Sequence, residues 1–142
     1  MQPHDEILQL FAAWDAALRS GDPDAVVACY ADDAVLLPTF SNQVRRSPAE
    51  IRSYFAKLVD RGPSAAVIDG TVRAYGDVAI HSGTYEFGFA TGPLRVARAR
   101  FTFVYRRTGS GWRIVEHHSS AMPEQAVLPR PAAAQPNSMT KL

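Results

Sequence analysis

Arg100-Phe101-Thr102-Phe103-Val104-Tyr105-Arg106-Arg107, then Thr108-Gly109-Ser110-Gly111, then Trp112-Arg113-Ile114-Val115-Glu116-His117-His118-Ser119-Ser120, is the stretch that decides the fold. It reads as two long strands joined by a glycine turn. Successive strand side chains point to opposite faces. In the first arm Phe101, Phe103 and Tyr105 therefore share one face, and Arg100, Thr102, Val104 and Arg106 the other. The aromatic set wants a core. In the second arm Val115, His117 and Ser119 share a face opposite Trp112, Ile114, Glu116, His118 and Ser120, and alternation alone does not say which is inside. A sheet with one aromatic face needs a cover, and the helical segments upstream are the candidates.

Those segments are legible from apolar spacing and caps. Ile7, Leu10, Phe11, Trp14, Ala17 and Leu18 form one stripe of an amphipathic helix over residues 5–20. Gly21 ends it, and Asp22-Pro23 opens a short second helix carrying Val26, Val27 and Tyr30. Ala34 to Leu37 reads as a short strand stopped by Pro38, followed by a loop from Thr39 to Arg46. Ser47-Pro48-Ala49-Glu50 has the residues of a capping box and starts a third helix with Ile51, Tyr54, Phe55 and Leu58 as its stripe. From Ala66 the pattern changes to period two: a strand to Ala74, a second from Val78 to Phe89, and then the hairpin. The expected class is α+β: three helices packed on a strongly curved antiparallel sheet. Residues 1–124 form one domain, and 125–142, rich in Pro, Ala, Gln and Ser, form an extended or disordered tail.

The chain has 142 residues and a formal net charge of +1, which gives no electrostatic case for nucleic acid or an anionic membrane surface. Cys29 is the only cysteine, so neither an internal disulfide nor a cysteine-built zinc site is available. No apolar run approaches the roughly 20 residues that span a bilayer, and the first residues lack the pattern of a secretory leader. A cytoplasmic location is expected.

The order of helices and curled sheet, with Val35-Leu36-Leu37-Pro38-Thr39-Phe40-Ser41-Asn42 before the third helix and Trp112 to Glu124 at the end, resembles the NTF2-like superfamily. Within it the chain is similar to the branch of the calcium/calmodulin-dependent kinase II association domain. It looks closest to the stand-alone SgcJ/EcaC group and the iota-class carbonic anhydrases. The iota-class His-His-His-Ser-Ser run stands here as Glu116-His117-His118-Ser119-Ser120, so the first histidine is replaced. Where the kinase domain lines its pocket with arginines, the matching positions are Gly83, Phe103 and Ser119.

The resemblance implies a pocket built from Thr39, Tyr54, His117 and Ser119, and metal-independent interconversion of CO2 and bicarbonate. Two hydroxyls and a phenol can donate to oxyanion oxygens, and an imidazole near its reference pKa of about 6.5 can move a proton at neutral pH. His117 and His118 face opposite ways and cannot share an ion, while His81 should lie two strand spacings from His117, so no metal site and no cofactor is expected. The alternative is a non-catalytic oligomerisation or small-ligand domain. A cyclase or isomerase is disfavoured because Glu86 and Glu116 both have outward parity. The outer hairpin face, read as Thr102, Val104, Trp112, Ile114 and His118, is the expected homodimer surface.

Overall fold

A computed structural model describes residues 2–123; the expected tail lies outside the described residues. Helix α1 (Pro3–Ser20) and the five-residue α2 (Pro23–Val27) are separated by Gly21, whose left-handed φ of 74° turns the chain without a Cβ clash. Asp22 caps α2 by accepting from the Asp24 N–H at 2.9 Å. Strand β1 (Tyr30–Leu37) follows, then α3 (Pro48–Leu58) with a short 3-10 turn (Val59–Arg61). Ser47 caps α3 by accepting from the Glu50 N–H, while the Glu50 carboxylate reaches back to the Arg46 N–H at 2.7 Å, one residue beyond a standard capping box. Strands β2 (Pro63–Tyr75), β3 (Val78–Phe89), β4 (Val96–Thr108) and β5 (Gly111–Ala121) complete the chain.

The sheet order is β1-β5-β4-β3-β2. The four long strands are antiparallel as expected, and β1 joins the edge parallel to β5. The aromatic row of β4 faces inward: Phe101, Phe103 and Tyr105 are buried in one core with Phe11 and Trp14 of α1 and Phe55 of α3. Trp14 lies parallel to Tyr85 with ring centroids 6.1 Å apart and meets Phe103 edge-on at 5.3 Å. Such pairs add about 0.5–1.5 kcal/mol each beyond area burial. This is the expected α+β architecture, with helices covering the aromatic face of a five-stranded sheet.

Two expectations need correction. Tyr30 is not on the second helix; it opens β1 and points into the core, 5% exposed. A five-residue helix has too few turns to present a stripe, and the chain extends directly after it. Second, Trp112 and Ile114 are buried and belong to the inner face, not to an outer association surface. The cause is a β-bulge. Tyr105 pairs with Ile114 but Val104 pairs with Glu116, so Val115 is an extra residue and the alternation of β5 resets there. The outer face keeps Thr102, Val104 and His118, and the apolar patch that motivated a dimer surface is correspondingly smaller.

Candidate functional site

His117 sits on β5 just beyond the bulge, which directs it inward beside Ser119. Its ring stacks on Phe103 at 4.0 Å, meets the edge of Trp14 at 5.4 Å and is 2% exposed. Burial, with a smaller contribution from neighbouring His118, holds the imidazole down to about 3. The ring is therefore neutral at neutral pH, and the expected base with an ordinary pKa is not what the fold builds.

Both ring nitrogens are occupied by phenols. Nδ1 is 2.8 Å from the Tyr30 hydroxyl and Nε2 is 3.2 Å from the Tyr85 hydroxyl. Tyr30 Oη in turn accepts from Trp14 Nε1 at 3.2 Å. Tyr85 donates to Ser119 Oγ at 2.6 Å, and Ser119 Oγ is hydrogen-bonded to Thr39 Oγ1. Desolvation pushes Tyr30 and Tyr85 well above the usual phenol range, so both keep their protons.

Thr39 reaches this chain because Pro38 ends β1 beside the C-terminal half of β5, with Leu36 and Leu37 in register with His117 and His118. Tyr54 comes from the inner stripe of α3. Its hydroxyl accepts from the Phe40 N–H at 3.3 Å, and burial pushes its pKa up to about 12. Thr39, Tyr54, His117 and Ser119 thus line one cavity together with Trp14, Tyr85 and Phe87. Of the four residues, Thr39 and Ser119 bond directly, while Tyr54 faces the same space without a bond to either. The cavity leaves about 10 Å³ for the centre of a water-sized molecule, room for roughly one water.

Sequence reasoning missed Tyr85, Tyr30 and Trp14. Tyr85 shares the inward parity of Gly83, and its cross-strand neighbour is Ala99, small enough for the phenol to lie across β4 toward Ser119. An alanine opposite a tyrosine was the available signal. Gly83 also explains the absence of an arginine there: a Cβ on it would fall 1.8 Å from the Asp69 carbonyl oxygen, where β2 bulges between Val67 and Asp69.

Tyr54 and Leu58 also line an outer vestibule of about 250 Å³ with Phe40, Ser41, Arg45, Lys57 and Arg61. Arg61 stacks over Phe89 at 4.3 Å and Arg45 over Tyr54 at 5.7 Å. The vestibule wall has three cations and no carboxylate.

His81 does not join the site. Phe103 stands between it and His117 in the strand register, and its ring packs against Phe101. Among the described residues no three His, Cys, Asp or Glu side chains cluster as metal ligands, and no helix is long and apolar enough to cross a membrane.

The family model described as calcium/calmodulin dependent protein kinase II association domain matches residues 3–123. A solved structure from Xanthomonas campestris, assigned to the same domain, is 41% identical, covers 87% of this chain and 91% of its own, and superposes with a TM-score of 0.83. NTF2-like proteins from Pseudomonas putida (24% identity, 93% of this chain and 95% of theirs, TM-score 0.75) and Streptomyces avermitilis (21%, 83% and 94%, 0.73) share the fold. The chain belongs to the calcium/calmodulin dependent protein kinase II association-domain family of NTF2-like proteins.

Proposed function

We propose that the cavity binds bicarbonate and interconverts it with CO2 without a resident metal. One observation carries the reading: the Thr39–Ser119 pair and the Tyr54 hydroxyl, each with a proton left over from the bonds described above, line the same small buried cavity. Ser119 already accepts from Tyr85, so the Thr39–Ser119 pair has one proton left to offer. Tyr54 uses an oxygen lone pair on the Phe40 N–H and has its own proton free. Two donors in a dry site are suited to the negative charge that grows on the CO2 oxygens as water adds.

In hydration, the water oxygen forms a bond to the CO2 carbon, and the water gives up one proton. The product oxygens take hydrogen bonds from Tyr54 and the Thr39–Ser119 pair, and the released proton passes to solvent buffer. His117 is not the acceptor, because both its nitrogens are engaged and burial suppresses its basicity. Its role is to hold Tyr85 and through it Ser119. The substrate is larger than the cavity, so admission requires the Thr39–Phe40 segment to give way. The cationic vestibule supports an anion as one of the two reaction partners.

The same suppressed basicity favours a second reading, an oxyanion-binding domain without turnover. Glu86 pairs with Arg98 on the outer face and the cavity wall has no carboxylate, which disfavours a base-catalysed isomerase or cyclase. Stopped-flow CO2 hydration in metal-free buffer, with and without chelator, separates the readings. Turnover that survives chelation and is lost in Ser119→Ala supports the enzyme. Bicarbonate binding with no turnover leaves the binding domain.

A further inference from the structure

The chain Trp14–Tyr30–His117–Tyr85–Ser119–Thr39 runs without a break from the covering helix to the cavity. Its polarity follows from counting protons. The Trp14 indole N–H can only donate, so Tyr30 Oη accepts there. The single Tyr30 proton has one remaining partner, His117 Nδ1. A neutral imidazole that accepts at Nδ1 carries its proton on Nε2, and that proton goes to Tyr85. Tyr85 then has its own proton to give to Ser119. Every link points the same way, and the cavity end is a donor.

The opposite tautomer would reverse each link beyond Tyr30. His117 Nδ1–H would then donate to Tyr30, which already accepts from Trp14, and the Tyr30 proton would be left buried with no acceptor. An orphaned buried hydroxyl of this kind disfavours a state by about tenfold to a hundredfold. In that state the Thr39 end would present a lone pair, which repels an oxyanion and suits a donor ligand.

We infer that Tyr30, held by Trp14, is the positioning residue that fixes His117 as the Nε2–H tautomer and so makes the cavity select hydrogen-bond acceptors, small oxyanions, over donors. Tyr30 touches no ligand and acts only through His117. The inference rests on the oxyanion reading of the site, not on turnover.

The test is long-range 15N–1H NMR of the His117 ring in the full chain at neutral pH, together with a bicarbonate titration followed by the Ser119 amide shift. Wild type is expected to show a protonated Nε2 and a bare Nδ1. In Tyr30→Phe the two tautomers are expected to become comparable, with bicarbonate affinity falling about twofold, the share lost to the reversed state. In Tyr85→Phe, where Tyr30 is intact, His117 is expected to remain Nε2–H. A wild-type ring protonated at Nδ1, or a tautomer that changes in Tyr85→Phe and not in Tyr30→Phe, overturns the inference. The wild-type spectrum decides even where a variant folds poorly. A wild type with the Nε2–H signature that binds bicarbonate but hydrates no CO2 supports the wiring and removes only the catalytic step.

Discussion

Tyr85 on β3 donates its phenolic proton to Ser119 on β5 at 2.6 Å, across the full width of β4. Ser119→Ala removes that acceptor and leaves the phenol's proton without its partner. The expected cost is about 1–3 kcal/mol of stability in urea titration, together with loss of CO2 hydration. The double variant Tyr85→Phe/Ser119→Ala takes away both halves of the pair. It is expected to lose less stability than the two single variants summed, although the His117 Nε2–H then lacks its acceptor, and to show no activity. Additive stability losses would mean that the two groups are not coupled in solution.

His117 gives a pH signature with a definite sign. Its pKa is depressed to about 3 in the fold, while the unfolded chain titrates near the ordinary value of about 6.5. Between those limits the unfolded state binds the extra proton, so stability falls as the pH is lowered through that window, by a few kcal/mol at most. Denaturation of wild type and His117→Gln at pH 7.5 and pH 5 should show a steeper loss in the wild type. Equal slopes would mean that His117 is not neutral and buried. By the same reasoning, the rate of CO2 hydration should show no inflection near pH 6.5 from this residue.

The vestibule predicts a salt effect. Lys57 and Arg61 line it beside Phe40, and their field is screened over about 10 Å at 0.1 M salt. Lys57→Gln and Arg61→Gln should weaken bicarbonate binding several-fold at low ionic strength, and by much less at 0.5 M salt. An effect of the same size at both salt levels would indicate lost packing and not lost charge.

Gly83 should tolerate no side chain. Even alanine would place its Cβ on the Asp69 carbonyl, and relieving that overlap would require opening the β2 bulge. Gly83→Ala should lose on the order of 3 kcal/mol or more, read as a lower melting temperature. A variant that melts like wild type would mean the bulge is adaptable.

The helices, most of their caps and the shared face of His117 and Ser119 were legible in the chain, because local periodicity and capping chemistry act over a few residues; that this face is the inner one came from the family likeness and from the bulge. Tyr54 was legible on the inner stripe of the third helix, but its grouping with Thr39 at one site came only through the family likeness, and the structure brings both to the same cavity. The partners of His117 were not legible. Trp14 and Tyr30 read as ordinary stripe residues, since nothing local says that an indole N–H and a phenol will meet an imidazole more than 80 positions away. The burial of Trp112 and Ile114 was missed for a different reason: a bulge conserves composition and leaves no mark in alternation until the pairing of the neighbouring strand is known.

That one surplus residue, Val115, lets a single strand serve two masters. Upstream of it, Trp112 and Ile114 anchor the strand in the core; downstream, His117 and Ser119 line the cavity. Deleting Val115 would put the two halves out of phase, so that the strand could keep its greasy anchor or its cavity-lining row on the inside, never both. Shortened by one amino acid, the protein could fold only by giving up its site, or keep the site only by losing the grip that holds the strand.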